Sequence, residues 1–192
     1  MIILSSYSMY SIPVREQVLA AGINISGKML IIPLASSFGT DFAVREKNSA
    51  VLSGFRDENV DIYDESDPDM CERLLKNSYD IINVPGGNTF RLLYKVKKYR
   101  LDSFIKEQTA NGAVYFGSSA GAYLACPDIE YVKNFDDNND ITDNDFTALG
   151  LTDKYVLCHY DQRGINEIKL CRSFIGTDPE LITINDSQIV II

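Results

Sequence analysis

Residues 117–121 read GSSAG, a G-x-S-x-G pattern whose central Ser119 could act as a nucleophile. The apolar run at residues 113–116 precedes the pattern and a stretch suited to a helix follows it, which is the strand–turn–helix context of a nucleophile elbow. Small residues on both sides of a serine let the backbone turn sharply without clashes. The pattern therefore predicts that Ser119 stands exposed at a tight turn, where it can attack a carbonyl group.

A serine hydroxyl is a weak nucleophile at neutral pH, so it needs a base, an orienting acid and donors for a developing oxyanion. His159 is the only histidine of the chain, and it follows the apolar run at residues 155–158 as Ser119 follows its own run. We interpret His159 as the general base, which takes the proton from Ser119 and delivers it to the leaving amine.

Gly86 and Gly87 follow another apolar run, at residues 81–84. Paired glycines leave backbone N–H groups uncovered, and together with the N–H of Ala120 they could form an oxyanion hole. A turn that needs a positive φ would explain the same two glycines without any chemistry, so both interpretations stay open.

The acid of the predicted triad is not singled out by the residues themselves. An order of serine, acid and histidine would agree with the α/β-hydrolase arrangement, so we look between Ser119 and His159. The acidic residues considered in this segment are Asp128, Glu130, Asp136, Asp137 and Asp140.

The elements that must position these residues read as an α/β alternation. Short apolar runs predict buried parallel strands, and they lie at residues 2–4, 29–34, 60–63, 81–84 and 114–116. Helices are predicted from Pro13 to about Gly22, after the Asp67-Pro68 pair, and from Asp102 to Asn111. Residues 181–184 and 189–192 predict a closing β-hairpin. Ligands bind at the carboxyl ends of parallel strands, where Gly86, Ser119 and His159 are predicted to lie.

Composition restricts the partners and the setting of the protein. The chain has 192 residues with 45% hydrophobic and 23% charged residues, which suits one globular domain over residues 1–192. A net charge of −9 argues against nucleic acid. No membrane span and no secretory signal are recognisable, so we expect a cytoplasmic protein. The four cysteines show no metal-binding spacing, and the acidic stretch at residues 136–145 lacks the EF-hand pattern, so we expect reduced thiols and no metal.

Three motifs together resemble the S51 serine peptidases, a family that includes α-aspartyl dipeptidases and cyanophycinases. They are GGNTF at residues 86–90, GSSAGA at 117–122 with Cys126-Pro127 behind it, and ALGL at 148–151 ahead of His159. The resemblance implies a flavodoxin-like three-layer α/β sandwich with a mostly parallel sheet, similar to class I glutamine amidotransferases. It also implies cofactor-free peptide hydrolysis through an acyl-enzyme.

Residue by residue, the resemblance implies that Ser119 is the nucleophile, His159 the base, and Gly87 with Ala120 the oxyanion donors. Asn88 and Thr89 match positions beside the hole, where substrate contact is expected. Arg163 is an approximate match for the arginine that binds an acidic substrate side chain in the aspartyl branch.

Ungapped counting along the family pattern places the triad acid at Asn134, which carries no charge. A small shift places Asp136 there, with Asp137 behind it, and we predict Asp136 as the acid.

We therefore predict a serine peptidase acting on dipeptides or small peptides, with a preference for N-terminal Asp as one option. It would act as a monomer or a homodimer. The alternatives are a cyanophycinase-like hydrolase, a catalytically weak or inactive binding or regulatory protein on the same scaffold, and an amidotransferase-like domain.

Overall fold

Strands and helices alternate along the chain, and the computed structural model describes all of it, Met1–Ile192. The strands are β1 Ile2–Ser5, β2 Met29–Ile31, β3 Val60–Ile62, β4 Ile81–Val84, β5 Val114–Ser118, β6 Tyr155–Leu157, β7 Leu181–Thr183 and β8 Ile189–Ile191. The α-helices are α1 Ile12–Ala20, α2 Gly39–Leu52, α3 Pro68–Leu74, α4 Thr89–Lys98, α5 Leu101–Ala110, α6 Ala120–Leu124 and α7 Ile165–Ile175. Three short 3₁₀ helices cover Asp57–Asn59, Glu130–Val132 and Tyr160–Gln162.

Six of the strands form one sheet in the order β3-β2-β4-β5-β1-β8. The first five are parallel to their neighbours, and β8 pairs antiparallel with β1. The run β3-β2-β4-β5 has the 2-1-3-4 order of flavodoxin-like sheets, counted from β2. The predicted α/β class with a mostly parallel sheet is therefore confirmed.

Helices cover both faces of this sheet, which explains why its strands read as continuous apolar runs. Successive strand side chains point to opposite faces. In β2, Leu30 belongs to the larger core, which includes Phe90 of α4, whereas Met29 belongs to the smaller core with Val14 and Val18 of α1. Each strand residue is buried on one side or the other, so no polar alternation appears in the sequence.

The predicted helices are confirmed with small shifts of their ends. The Asp67 side chain accepts a hydrogen bond from the Met70 N–H at 3.0 Å, with Pro68 as the first helical residue of α3. Helices α2, α4 and α7 were not predicted. In α2, Ala43 and Ala50 are the only fully buried residues and mark a weak apolar face. No helix is long and apolar enough to cross a lipid bilayer.

The predicted C-terminal hairpin is wrong. Strand β7 pairs parallel with β6 in a separate two-stranded sheet, whereas β8 pairs with β1 in the main sheet. We had expected the run before His159 to belong to the sheet that carries Ser119. It forms β6 of the separate two-stranded sheet instead. Local apolar patterns predict where strands occur, but the partners of a strand depend on surfaces distant in sequence. The loop between β7 and β8 consequently joins two sheets.

Candidate active site

The turn around Ser119 has the geometry of a nucleophile elbow. Ser119 lies between β5 and α6 with φ 50° and ψ −109°, a combination that non-glycine residues rarely adopt. Such a conformation costs about 1–3 kcal/mol and persists only when its surroundings enforce it. Here the Ser119 N–H donates to the Ser5 carbonyl at 2.9 Å, and its carbonyl accepts from the N–H groups of Ala122 and Tyr123 at 2.9 and 3.0 Å.

The two glycines of the GSSAG pattern are required by steric contacts. A Cβ on Gly117 would lie 2.4 Å from the Gly121 carbonyl oxygen, and a Cβ on Gly121 would lie 2.0 Å from the Val84 carbonyl oxygen. Helix α6 therefore packs directly on the backbone of β4. This close packing brings the elbow, at the end of β5, next to the glycines that follow β4.

Replacing Gly121 by alanine should lower the free energy of unfolding by about 3 kcal/mol, because the added methyl overlaps backbone that cannot move aside. Chemical denaturation measures this difference. The matched control is Gly164→Ala, whose methyl would meet only the Glu167 carboxylate, at 3.6 Å. Equal stabilities of the two variants would contradict the packing argument.

His159 lies within hydrogen-bond distance of the nucleophile. Its Nε2 is 3.2 Å from the Ser119 Oγ. Its backbone is left-handed, with φ 57°, directly after β6. The His159 N–H donates to the Ser6 Oγ at 2.9 Å, and this hydroxyl donates to the Ile184 carbonyl at 2.8 Å. Ser6, which is buried, therefore joins the ends of β1, β6 and β7 at the point where the imidazole must be held.

Asp186 is the acid beside the imidazole. Its Oδ1 lies 2.6 Å from the His159 Nδ1, and the Gln162 side-chain amide donates to its other oxygen. A carboxylate only accepts hydrogen bonds, so this contact keeps the proton on Nδ1 and leaves the Nε2 lone pair facing Ser119. Asp186 lies in the loop between β7 and β8, the loop that joins the two sheets.

Asp136 and Asp137, the predicted acids, lie elsewhere. The Asp136 carboxylate accepts from the Thr89 N–H at 2.9 Å and from the Thr89 hydroxyl at 2.7 Å. The Asp137 carbonyl accepts from the Asn88 amide at 2.8 Å. These contacts fasten the acidic loop to the start of α4. The prediction searched only the segment between serine and histidine, whereas the acid in contact with the imidazole follows the histidine along the chain.

The other acids that we considered also have structural partners. Asp128 accepts from the Tyr155 hydroxyl, Glu130 pairs with Lys133, and Asp140 pairs with Arg91. The feature that could have identified Asp186 is its position just after the apolar run of β7, which it shares with Ser119 after β5 and His159 after β6. We read that position as a hairpin turn instead.

Three backbone N–H groups beside Ser119 have no acceptor within the protein, namely those of Gly86, Gly87 and Ala120. Gly86 lies against the nucleophile, because a Cβ built on it would be 3.0 Å from the Ser119 Cβ. Gly87 has φ 143° and passes so close to the loop after β2 that a Cβ would be 2.6 Å from the Ala35 carbonyl oxygen. Unpaired N–H groups at an elbow are the donors that an oxyanion requires.

Asn88 and Thr89, predicted to contact substrate, make structural contacts instead. The Asn88 side chain caps α4 by accepting from the Arg91 N–H at 2.8 Å, and its amide holds Asp137. Thr89 is 2% exposed and is bonded to Asp136. Asn88 also lines a surface cavity, and its side-chain amide and oxygen each make one of these contacts.

Arg163 is packed away from Ser119. Its guanidinium lies 3.8 Å from the centre of the Phe135 ring, where cation and aromatic face attract each other. It also lies 3.4 Å from the Glu167 carboxylate and donates to the Cys158 carbonyl. This placement does not support the expectation that Arg163 binds an acidic substrate side chain, because Arg163 lines neither of the two cavities beside Ser119 and the glycine pair.

A cleft of about 320 Å³ opens over the nucleophile. Its lining residues are Ser6, Tyr7, Ser8, Phe42, Glu46, Pro85, Gly86, Ser118, Ser119 and His159. The Tyr7 ring meets the His159 ring edge-on, with 6.0 Å between the ring centres. The cleft is thus an open groove with the nucleophile, the base and one carboxyl group, Glu46, in its wall.

A second cavity, of about 370 Å³, lies on the other side of the glycine pair. It shares Phe42 and Gly86 with the first, and its wall holds two guanidinium groups, those of Arg45 and Arg91. Sequence analysis missed both arginines and Glu46. No motif marks them, because their positions beside the glycine pair depend on how α2 packs on β2 and β3 and how α4 packs on α6.

The buried cysteines do not compete with Ser119 as nucleophiles. Burial raises the pKa of the Cys158 thiol to about 12 and that of the Cys126 thiol to about 11. Both thiols are therefore protonated at neutral pH and belong to the core.

Comparison with known proteins agrees with this geometry. The model of peptidase family S51 matches residues 1–192. An uncharacterized peptidase of Listeria monocytogenes is 36% identical over 159 residues, which are 80% of this chain and 77% of that protein. Peptidase E of Salmonella arizonae is 35% identical over 111 residues, which are 55% of this chain and about half, 47%, of that protein.

A solved structure has the same fold over the whole chain. The crystal structure of a protein assigned as a peptidase E from Listeria monocytogenes superposes with a TM-score of 0.76 and 27% sequence identity. The match covers 100% of this chain and 93% of the other.

Proposed function

The chain belongs to peptidase family S51, and on this basis we propose that it is a serine-type peptidase that hydrolyses dipeptides or other small peptides through an acyl-enzyme. The observation that carries the proposal is one continuous line of contacts. Asp186 lies 2.6 Å from His159, and His159 lies 3.2 Å from Ser119 at a strained elbow. In this arrangement His159 can take the proton of Ser119, and Asp186 can stabilise the imidazolium that forms.

In the proposed mechanism, the Ser119 Oγ attacks the peptide carbonyl while the His159 Nε2 takes its proton. The N–H groups of Ala120, Gly86 and Gly87 stabilise the oxyanion, and Asp186 stabilises the imidazolium. His159 then gives the proton to the leaving amine, and the acyl group stays on Ser119. Water, deprotonated by His159, attacks the ester and releases the acid product and free Ser119.

The size of the cleft favours short substrates. A volume of about 320 Å³ is at the lower end of the roughly 300–1,000 Å³ that small-molecule sites occupy. The wall includes the exposed Tyr7, so the groove is shallow on the side of His159. A dipeptide can reach Ser119 with both of its residues in the two cavities that meet at Gly86.

A preference for an N-terminal Asp is supported by arginines other than the predicted one. The Arg45 side chain makes no ion pair within the protein, and the Arg91 Nε lies 3.6 Å from the Asp140 carboxylate, a long contact between partly exposed groups. Both line the cavity beside the glycine pair. We propose that these guanidinium groups bind an acidic side chain of the substrate.

We expect Arg45→Gln and Arg91→Gln each to raise KM for Asp-Ala about 10-fold, which is the effect of losing one charge-assisted hydrogen bond. KM for Ala-Ala should change much less, because that substrate lacks the side-chain carboxylate. Initial rates of amino acid release measure both constants. Arg56→Gln, an exposed arginine that lines neither cavity, is the control. Equal losses on both dipeptides would contradict acidic recognition.

A dipeptide panel together with a serine-reactive fluorophosphonate tests the proposed function. The protein should release amino acids from some members of the panel, and the probe should label Ser119 alone, as located by mass spectrometry of the digested protein. Absence of both hydrolysis and labelling would reject the serine mechanism.

A non-catalytic role on the same scaffold was the main rival in the sequence, because Asn134 stood where an acid was expected. Asn134 is exposed and lies outside the contacts of His159, whereas Asp186 lies against the imidazole. The uncharged Asn134 therefore does not favour an inactive protein, because in our proposal Asp186 is the acid.

A further inference from the structure

Glu46 is a carboxyl group in the wall of the catalytic cleft without a partner of its own. It lies on α2, half-buried, and lines the same groove as Ser119 and His159. It takes part in no hydrogen bond and in no ion pair with a Lys, Arg or His side chain, whereas its neighbour Lys47 pairs with Asp57. A half-buried carboxylate without a donor is costly unless a ligand supplies one.

Tyr10, a core group whose pKa responds to the charge of Glu46, already has hydrogen-bond partners. Tyr10 feels the charge of Glu46, but its hydroxyl accepts from the Asn83 amide at 3.0 Å and donates toward the Met29 sulfur at 3.6 Å. Burial raises the pKa of the Glu46 carboxyl to about 7, and the positive charge of Arg45 opposes this only in part. The protein therefore supplies no hydrogen-bond donor and no ion-pair partner to the Glu46 carboxyl group.

We propose that Glu46 binds the α-ammonium group of the substrate's N-terminal residue, so that cleavage is confined to peptides with a free amino terminus. This inference rests on the proposed peptidase function and names the substrate class of the same site. In a dipeptide, the ammonium group is on the residue whose carbonyl is attacked. An anchor for it must therefore share the groove with the nucleophile, as Glu46 does.

The two cavities would then bind substrate groups of opposite charge. Glu46 supplies a negative charge in the groove over Ser119, and Arg45 with Arg91 supplies positive charge beyond Gly86. An N-terminal Asp residue, which carries an ammonium group and a side-chain carboxylate on different branches of the same Cα, matches this polarity. Charge complementarity of this kind discriminates between substrates, because the wrong group would meet an unpaired like charge.

The test compares a dipeptide that the wild-type protein hydrolyses with its desamino analogue, which has the same shape but no ammonium group. We expect the wild-type kcat/KM to favour the free amine about 100-fold, and Glu46→Gln to reduce this ratio at least 10-fold, mainly through KM. Glu46→Asp, which keeps the charge on a shorter arm, should give an intermediate ratio. Glu58→Gln makes the same chemical change at an exposed position outside the cleft and should keep the wild-type ratio.

Fluorophosphonate labelling of the wild-type protein distinguishes a failure of the Glu46 assignment from a failure of the proposed peptidase function. Normal labelling and hydrolysis with an unchanged ratio in Glu46→Gln would overturn the role of Glu46 and leave the peptidase standing. A variant that instead lost a preference for Lys or Arg side chains would overturn the ammonium assignment. A wild-type protein without labelling or hydrolysis would overturn both.

The ratio should also depend on pH in a defined direction. A carboxyl group with a raised pKa is neutral below that pKa, so the preference for the free amine should fall as pH drops through about 7. The titratable and charged groups facing Glu46 or its cleft are Tyr7, Tyr10, Arg45 and His159. A pH effect that changes the rates of both substrates by the same factor cancels in the ratio. A ratio that is constant in pH, or a fall that persists in Glu46→Gln, would overturn the assignment.

Discussion

Ser119→Ala should abolish peptide hydrolysis, with kcat reduced by about 10⁴- to 10⁶-fold, because the variant has no atom that can form the acyl bond. The strained turn is held by backbone hydrogen bonds of residue 119, which alanine keeps, so the fold should be retained. Single-turnover release of amino acids measures the loss, and circular dichroism with thermal unfolding reports on the fold.

Ser173→Ala, on the exposed side of α7, is the matched control and should hydrolyse at the wild-type rate. Hydrolysis that survived in Ser119→Ala at more than about a hundredth of the wild-type rate would assign the nucleophile elsewhere.

Asp186→Asn should lower kcat by about 10³- to 10⁴-fold while KM changes little. An asparagine side chain can donate to the His159 Nδ1 as well as accept from it, so the imidazole can adopt the tautomer with its proton on Nε2, facing Ser119. The imidazolium formed during attack also loses its counter-charge. Steady-state kinetics over the pH range of activity measure both effects.

Asp136→Asn is the comparison that distinguishes the structural acid from the proposed catalytic one. Its carboxylate binds the N–H and hydroxyl of Thr89 at the start of α4, so its loss should lower the free energy of unfolding by about 1 kcal/mol and leave kcat within about 10-fold. The assignment of Asp186 fails if Asp136→Asn is the variant that loses turnover and Asp186→Asn is not.

Ser119 and His159, the proposed nucleophile and base, could be identified in the sequence because their signals are local. The G-x-S-x-G pattern of the elbow consists of adjacent residues. A side chain at Gly117 would overlap Gly121, four residues away, and a side chain at Gly121 would overlap the backbone of β4. His159 was predictable by elimination, because no other histidine exists. The free N–H groups of Gly86 and Gly87 were predicted because glycines lack side chains. An oxyanion hole was one of two interpretations, and a turn with positive φ was the other.

The acid was not predictable because its position depends on a choice between sheets. Residues 181–184 and 189–192 carry apolar patterns that fit a hairpin equally well. In the fold, β7 extends the edge of β6 and β8 extends the edge of β1, so the loop between them crosses the carboxyl end of β6 and brings Asp186 to His159. The choice is made by packing against distant segments, which a local pattern does not contain.

The charged residues around the cleft could also not be identified from local sequence patterns. Arg45, Glu46 and Arg91 have no motif, and they approach Ser119 only because α2 and α4 flank the loop after β4. Asn88, Thr89 and Arg163 follow the family pattern in sequence, yet each makes hydrogen bonds or an ion pair within the protein.

The sequence by itself determined the α/β alternation, the serine elbow and the identity of the single imidazole, because each depends on local backbone sterics, on apolar periodicity or on a count. The tertiary structure alone decided which carboxylate orients that imidazole and which charges face the substrate. Those outcomes depend on strand partners and helix packing between segments far apart in the chain, where several arrangements satisfy the same local pattern.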